Sequence, residues 1–275
     1  MTTNYLNSWN DCPIDLAQPG VTLSLGKNYN KRVGCDPIEG KTMAIFFDLT
    51  NFNDVRGFIP TELWGFNQGV RGLGGDDFIR GSSDPEIFNG NRGRDTLRGN
   101  FGEDTLYGGR DNDLIDGEGN NDRVDGGFGD DTVRGGDNED LVFGNDGNDD
   151  VFGDNGDDTL IGGFGVDNLT GGEGRDLFVF SDDDTVFDIF DADAVFDFSR
   201  GQGDLIGIND DAFGGRGVIL DDRFDYSDIF GGGMSVDTVI EEDFSGRILG
   251  VVIDTDIGDL RDRIVSVPND LFGFA

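Results

Sequence analysis

The sequence is poor in the residues that most enzyme active sites require. Its 275 residues include no histidine, two cysteines (Cys12 and Cys35) and three lysines (Lys27, Lys31 and Lys41). Without histidine there is no imidazole ligand for a zinc site, and no base for a Ser-His-Asp triad or a cysteine hydrolase. No apolar run approaches the length of a membrane span. These absences argue against the common hydrolases and against a membrane-spanning protein.

The charge of the chain is strongly of one sign. The sequence has 57 acidic and 20 basic residues, and its formal net charge is −37. Nucleic acid and anionic lipid would be repelled by this charge, so they are excluded as direct partners. Calcium could still bridge the chain to an anionic surface polysaccharide.

The abundant residues form a regular pattern. From Gly90 to Val179 the sequence consists of ten consecutive nine-residue units, each with glycine first, aspartate sixth and a large apolar residue eighth. A fixed short period of this kind predicts a solenoid. The first positions are Gly90, Gly99, Gly108, Gly117, Gly126, Gly135, Gly144, Gly153, Gly162 and Gly171, and the sixth are Asp95, Asp104, Asp113, Asp122, Asp131, Asp140, Asp149, Asp158, Asp167 and Asp176.

The chemistry of one unit predicts a turn followed by a strand. Glycine at the first position, and often at the second and fourth, allows a positive φ in a tight loop, so that main-chain carbonyl groups point to one place. The aspartate adds a carboxylate there. An all-oxygen site suits calcium, whereas zinc and copper prefer imidazole or thiolate. The eighth residues are expected to point inward and stack into a narrow core: Leu97, Leu106, Ile115, Val124, Val133, Val142, Val151, Leu160, Leu169 and Phe178.

This block resembles the RTX, or hemolysin-type calcium-binding, repeat, written GGxGxD followed by x, a large apolar residue and x. The resemblance implies a right-handed parallel β-roll with two units per turn and calcium held between neighbours one turn apart. Asp95, Asp113, Asp131, Asp149 and Asp167 would then line one edge, and the other five aspartates the second edge. Carbonyl groups of the first glycines and of the fourth-position glycines would complete the shells: Gly93, Gly102, Gly129, Gly147, Gly156, Gly165 and Gly174.

Three units depart from the pattern at the fourth position, where they carry Asp111, Asn120 and Asn138. Asp and Asn tolerate left-handed backbone best among non-glycine residues, so the loops are expected to survive there. The block holds 23 acidic residues and 7 arginines, a net charge of −16. Four gaps between turns on each edge would take about eight calcium ions, whose charge is of the same size. Stacked carboxylates repel one another, so we expect no folded roll without calcium.

Two other interpretations of the block are weaker. A flexible acidic linker is also rich in glycine and aspartate, but it would not keep an unbroken nine-residue register. An ice-binding roll would need a flat, regular row of Thr or Asn on one face. The outward seventh positions on one side form a mixed row instead: Thr96, Leu114, Thr132, Asp150 and Asn168.

The segments beside the block are interpreted as its ends. Residues 71–89 are expected to be degenerate repeats, with Gly72, Gly74, Asp76 and Phe78 in one unit, Pro85 in the aspartate position of the next, and Asn89 as an extra residue. Residues 180–275 are expected to form a β-rich C-terminal cap. Its run from Ala194 to Ile206 resembles the segment that closes RTX modules, and residues 237–240 and 248–253 are predicted strands.

Residues 1–70 resemble no family, and two interpretations stay open. They form a small β cap, in which a strand near Met43–Phe47 packs against the start of the roll, or they form an assembly module. The three lysines of the chain lie in this region, which also contains Trp9 and Trp64. Head-to-tail contact with an acidic body could build sheets or filaments. Whether Cys12 and Cys35 form a disulfide stays open.

The start of the chain is polar and lacks the apolar core of a secretory signal peptide. The resemblance implies export by type I secretion machinery, which reads an uncleaved C-terminal signal, and residues 269–275 are similar to such signals. Low-affinity oxygen sites also suit extracellular calcium levels. We therefore expect a protein outside the cell, or on the surface, of a Gram-negative-type bacterium.

The sequence as a whole predicts an all-β protein with a parallel β-roll between two β-rich caps. The favoured function is a calcium-binding structural protein of the cell surface or extracellular matrix, which folds and self-assembles into a homo-oligomer or polymer on binding calcium. The alternative is a calcium-stiffened adhesin or carbohydrate-binding module. A glycosidase with a carboxylate pair stays chemically possible, but no substrate-sized domain is evident outside the module, so we expect no enzyme.

Overall fold

The structure is a computed structural model that describes most of the solenoid and parts of both flanks. The described residues are 33–37, 43–48, 54–56, 68–180, 191–208, 218–224, 237–242, 247–253, 255, 257–260 and 262–267. The expectations for the two tryptophans, for Cys12, for the lysines and for the C-terminal signal fall outside these residues.

The regular secondary structure of the described residues is mainly β-strand. One short helix, α1, covers Ile257–Leu260. In chain order the strands are β1 (Val33–Pro37), β2 (Met43–Asp48), β3 (Val55–Arg56), β4 (Gln68–Arg71), β5 (Phe78–Arg80), β6 (Glu86–Asn89), β7 (Thr96–Phe101), β8 (Thr105–Arg110), β9 (Leu114–Gly119), β10 (Arg123–Phe128), β11 (Thr132–Asp137), β12 (Leu141–Asp146), β13 (Asp150–Asn155), β14 (Thr159–Phe164), β15 (Asn168–Glu173), β16 (Leu177–Phe180), β17 (Ala194–Val195), β18 (Leu205–Ile208), β19 (Val218–Phe224), β20 (Asp237–Glu242), β21 (Ile248–Val252) and β22 (Ile264–Ser266).

The strands form two sheets of 11 strands each. Sheet A has the order β1-β2-β4-β6-β8-β10-β12-β14-β16-β18-β22, and sheet B the order β19-β20-β21-β17-β15-β13-β11-β9-β7-β5-β3. Within the regular block every strand pairs in parallel with the strand two units away, as Val133 does with Ile115 and Val151. Two units therefore make one turn, which confirms the predicted all-β parallel β-roll.

Each regular strand contributes one large apolar side chain to the core of the roll. Each regular strand runs from the seventh position of one unit to the third position of the next, and its side chains alternate between the inside and the outside. All ten eighth-position residues are fully buried, as predicted. The same column continues through Val70, Ile79 and Phe88 before the block and through Val195 and Ile206 after it.

The nine-residue register also continues without a break through residues 72–89, and here the sequence interpretation was wrong. Asp77 and Ile79, rather than Asp76 and Phe78, point inward. Asn89 is not an extra residue, because it pairs with Tyr107 one turn later in the ninth position. The error arose because two acidic residues are followed by two apolar ones, so that either register satisfies the hydrophobic pattern. Pairing with the next turn selects one register.

The following unit, Gly81–Asn89, has glutamate where the regular units have aspartate. Glu86 is the buried sixth residue and Phe88 the fully buried eighth. Pro85 therefore stands in the fifth position and not in the position of the aspartate.

Further strands close both ends of the roll. Residues 43–48 form β2, which pairs in parallel with β4 through Ile45 and Gln68, so the strand predicted there is confirmed. At the other end, the strands predicted at 237–240 and 248–253 are present as β20 and β21. Asp197 accepts hydrogen bonds from the main-chain N–H groups of Gly171 and Gly172, both at 2.8 Å. A side chain thus replaces the next strand at the end of β15.

Because each strand contributes one core side chain, single substitutions can test which side chains point inward. Leu106 is fully buried in the eighth position, whereas Leu114 is 42% exposed in the seventh. We expect Leu106→Ala to lower the free energy of unfolding by about 2–5 kcal/mol, because it leaves a cavity that neighbouring turns cannot fill. Leu114→Ala should cost less than about 1 kcal/mol. Urea unfolding in saturating calcium measures both, and equal losses would contradict the inward assignment.

Candidate metal centre

The sixth-position acidic residues form two continuous ladders along the roll. The main-chain N–H of each donates to a carboxylate oxygen of the acidic residue one turn later, over 2.6–3.1 Å. The A ladder, beside sheet A, consists of Glu86, Asp104, Asp122, Asp140, Asp158, Asp176 and Asp204. The B ladder, beside sheet B, consists of Asp77, Asp95, Asp113, Asp131, Asp149, Asp167 and Asp193. The ten predicted aspartates divide between the two edges as expected.

In most of the ladder aspartates the second carboxylate oxygen is buried without a hydrogen-bond donor. Asp131 illustrates the arrangement, since its Oδ1 accepts from the N–H of Asp113 at 2.6 Å. Its Oδ2 is buried and has no hydrogen-bond partner. The same holds for the Oδ2 atoms of Asp77, Asp95, Asp104, Asp113, Asp122, Asp140, Asp149, Asp158 and Asp176. Buried acceptors without donors are costly, and a cation would satisfy them.

The first-position glycines make room for this oxygen. A Cβ placed on Gly126 would lie 2.6 Å from Asp131 Oδ2 and 2.7 Å from the carbonyl oxygen of Gly144. A carboxylate oxygen and a carbonyl oxygen of the next turn therefore face the same space, which a side chain would fill. Hard oxygen donors of this kind fit calcium. When bound, calcium would supply the positive charge that the two ladders lack.

The role assigned to the first glycine from sequence needs correction. Positive φ occurs at the second and fourth positions, as at Gly127 (108°) and Gly129 (128°), whereas Gly126 is not among the residues with positive φ. The first position requires glycine because no Cβ fits, and the backbone conformation there is ordinary. Sequence reasoning missed this because the exclusion depends on where Asp131 Oδ2 and the carbonyl group of the next turn lie in the folded roll.

The three departures at the fourth position adopt the expected left-handed backbone. Their φ angles are 73° for Asp111, 81° for Asn120 and 87° for Asn138. Two of these side chains also join neighbouring turns. Asp111 accepts from the N–H of Gly93 at 3.1 Å, and Asn120 from that of Gly102 at 3.2 Å. The hydrogen bond helps to offset the cost of a left-handed non-glycine residue.

Arginine side chains of the roll pair with outward-facing carboxylates. Arg134 lies 3.1 Å from Asp154 and stacks over the ring of Phe152, with 3.9 Å to its centroid. Arg80 and Arg98 both reach Glu118 at 3.4 Å. These charges sit on the outer face, so they do not take the place of a cation inside the ladders.

Burial raises the pKa of the ladder carboxyl groups in the metal-free roll. The pKa of Asp113, Asp122, Asp140 and Asp149 rises to about 8, that of Asp95, Asp104, Asp131 and Asp176 to about 7, and that of Asp77 and Asp158 to about 6. For Asp113, burial contributes most, and the carboxylates of Asp131 and Asp95 raise the pKa further against the opposing main-chain hydrogen bond. A bound divalent cation would lower these pKa values again, because its charge stabilises the carboxylate form.

No group of three or more acidic, histidine or cysteine side chains that could hold a metal converges within the described residues. This follows from the geometry of the ladders, because successive carboxylates are a full turn apart. Any calcium ion here would take much of its coordination from main-chain carbonyl groups, which calcium accepts readily.

The parallel roll and its two rows of donor-free carboxylate oxygens define a repeat solenoid of the calcium-binding type. Comparison with protein families confirms this class. The RTX calcium-binding nonapeptide repeat (4 copies) matches residues 70–97, 80–115, 89–124, 116–151, 143–178 and 152–187. The solenoid segment therefore consists of RTX repeats, which bind calcium.

RTX repeats are typical of secreted proteins that use a type I route. No helix in the described part of the chain is long and apolar enough to cross a membrane.

Comparison with curated proteins found no significant match. Among the solved structures that match is the extracellular lipase LipA from Serratia marcescens, with 19% sequence identity and a TM-score of 0.30. The match covers 72% of this chain but only 42% of the lipase chain. At this level of similarity the fold assignment depends on the strand pairing of this chain alone.

The steric role of the first glycine can be tested with a matched pair. Gly126→Ala should lower the free energy of unfolding in calcium by about 1–3 kcal/mol and raise the calcium concentration needed for folding, because the new Cβ overlaps the oxygen pocket. At Gly119 the nearest atom to an added Cβ is 3.5 Å away. Gly119→Ala should therefore behave like the wild type in calcium titrations followed by circular dichroism. A similar loss in both variants would refute the pocket argument.

The raised pKa values predict the pH dependence of the metal-free roll. Because the folded state holds protons more tightly than the unfolded chain, this contribution to stability is full below about pH 4 and is lost as pH rises through about 6 to 8. In chelator, any β-structure that circular dichroism detects near pH 4 to 5 should therefore be lost by pH 8.5. In calcium, protons compete with the metal, so more calcium should be needed at pH 6 than at pH 8. β-structure in chelator that increases from pH 5 to pH 8.5 would contradict the burial of the ladders.

Proposed function

We propose that this protein is a calcium-binding structural protein of the cell surface or extracellular matrix, which folds and then self-assembles on binding calcium outside the cell. The observation that carries the proposal is the pair of buried carboxylate ladders that run the length of the roll. Their donor-free oxygens need a cation wherever the roll is folded at neutral pH.

The proposed calcium ligands are the ten sixth-position aspartates, with carbonyl groups of the first and fourth positions. The geometry at Gly144 and Gly126 supports the first-position carbonyls. Fourth-position residues of neighbouring turns also lie close together, since a Cβ placed on Gly129 would lie 2.5 Å from the carbonyl oxygen of Asp111, one turn earlier. About eight ions between the turns of the regular block would balance its charge.

Self-assembly is supported by the ends of the sheets. Among the described strands, β1 and β3 are the outermost at one end, and β22 and β19 at the other. Outermost strands present main-chain groups that can pair with a second copy. End-to-end contact between unlike ends would be heterologous and could continue without closure. The lysines of residues 1–70 would favour contact with the acidic roll of a neighbour.

The mode of export follows from the calcium requirement. An acidic chain that folds only with calcium would stay unfolded in the cytosol, where free calcium is scarce, and would fold after export. We propose residues 269–275 as the signal that type I machinery reads, and a Gram-negative-type bacterium as the source. The absence of histidine supports a non-enzymatic role.

The second candidate is an adhesin or carbohydrate-binding module, and one observation favours it. Phe128 and Phe164 are 55% and 51% exposed. They lie in the same position of β10 and β14, with Asp146 of β12 between them. Two strand spacings separate the rings by about 10 Å. Exposed aromatic rings at such a spacing could stack on the sugar rings of a polysaccharide.

One titration separates the two functions. Calcium is added to chelator-stripped protein at pH 7.5 while circular dichroism reports β-structure and light scattering reports particle size. We expect cooperative folding followed by growth of the particles, and no folding with magnesium at the same concentration. Protein that is fully folded before calcium is added would overturn the ladder argument.

A folded protein that stays monomeric would favour the adhesin. Retention on an anionic polysaccharide column should then be lost in the double variant Phe128→Ala/Phe164→Ala, while the calcium-dependent folding is unchanged.

A further inference from the structure

The two ladders begin differently, in the two units that precede the ten regular ones. The B ladder starts at Asp77, in the unit that opens with Gly72, and the A ladder starts at Glu86, in the unit that opens with Gly81. Both side chains are almost fully buried, with 3% and 2% exposure. Each therefore needs partners for all of its oxygen atoms.

Asp77 reproduces the arrangement of the regular aspartates. Its N–H donates to Asp95 Oδ1 at 2.7 Å, and its own Oδ1 accepts from the N–H of Asp54 at 2.7 Å. Its Oδ2 is buried without a hydrogen-bond partner. A Cβ placed on Gly72 would lie 2.4 Å from this atom and 2.5 Å from the carbonyl oxygen of Gly90. The same oxygen pocket as at Asp131 is therefore present one turn before the regular block.

Glu86 differs because protein donors satisfy both of its carboxylate oxygens. Oε2 accepts from the N–H of Ser82 at 3.0 Å, and Oε1 accepts from the Ser82 hydroxyl group. The additional methylene of glutamate lets the carboxylate reach back to the second residue of its own unit. The N–H of Glu86 still donates to Asp104 Oδ1 at 2.7 Å, so the ladder itself is continuous.

The other end of the A ladder is closed in a related way. Asp204 Oδ1 accepts from the N–H of Asp176 at 3.1 Å, and Asp204 Oδ2 accepts from the N–H of Ser199 at 2.7 Å. At both ends of this ladder, a serine N–H therefore donates to a carboxylate oxygen of the type that the regular aspartates leave without a donor. Between these ends, the aspartates from Asp104 to Asp176 keep the second oxygen without a donor.

We infer that the Ser82–Glu86 pair takes the place of a calcium ion at the start of the A ladder, whereas Asp77 keeps the oxygen pocket of the regular repeats at the start of the B ladder. The two edges of the roll therefore hold unequal numbers of ions. The inference rests on calcium binding by the repeats and is independent of the proposed assembly.

The test is the number of calcium ions bound by the full-length chain, measured by equilibrium dialysis and elemental analysis in wild type and three variants. Asp77→Asn keeps the Oδ1 acceptor for Asp54 but removes the charge, and it should bind one ion fewer than wild type. Glu86→Gln should bind the same number as wild type. Asp76→Asn, a partly exposed neighbour that points outward, serves as the matched control and should also match wild type. An unchanged number in Asp77→Asn, or one ion fewer in Glu86→Gln, would overturn the inference.

If Asp77→Asn folds poorly, a variant that creates a calcium site at the start of the A ladder tests the inference instead. Ser82→Ala/Glu86→Asp removes the hydroxyl group and shortens the side chain, which leaves an oxygen without a donor at the start of the A ladder. This variant should bind one ion more than wild type and need calcium for order in its first turn. Retention of the wild-type number would refute the role of the Ser82–Glu86 pair. A wild-type protein that binds no calcium would instead contradict calcium binding by the repeats, which separates the two failures.

Discussion

Every turn of the described roll is tied to the next by a hydrogen bond from a main-chain N–H to a buried aspartate carboxylate, and the rest of the structure depends on that bond. It fixes the carboxylate in one orientation and leaves the second oxygen turned toward the first glycine of the same unit. Because the glycine has no side chain and the next turn contributes a carbonyl oxygen, the result is a buried pocket lined by oxygen atoms. The fold therefore creates a need for a cation that it cannot meet from its own side chains.

This constraint couples folding to metal binding. Because each strand contributes only one large apolar side chain to the core, the roll buries little apolar surface per residue. The hydrophobic contribution to folding is therefore small compared with the repulsion along two ladders of carboxylates. Calcium would convert that repulsion into attraction, and its binding free energy would then be part of the folding free energy. Burial raises the pKa of the ladder groups, so protons can partly replace calcium. Chains that fold only in calcium are suited to export before folding.

Much of this could be predicted from the sequence because the repeat is local and strict. The eighth-position residues from Leu97 to Phe178, the two edges of aspartates and the one-turn spacing all follow from a nine-residue period. The prediction failed where the pattern allowed two registers, as at Asp76 and Asp77. It also failed where a substitution changed the partner of a group, since nothing in the sequence shows that Glu86 reaches back to Ser82. The reason that Gly126 must be glycine was likewise hidden, because the clash is with the folded carboxylate of Asp131 and with a carbonyl oxygen of the next turn.

The sequence by itself determined the period, and with it the fold class, the core column and the type of ion that the loops suit, because these depend on the order of residue types within nine positions. The tertiary structure alone decided which carboxylate oxygens are left without a donor. That outcome depends on contacts between turns, such as those of Asp54 with Asp77 and of Asp176 with Asp204, and residues far apart in the chain meet only when the roll is wound. The local sequence pattern determines the positions of the carboxylates, and packing between turns determines which carboxylate oxygens still need a metal.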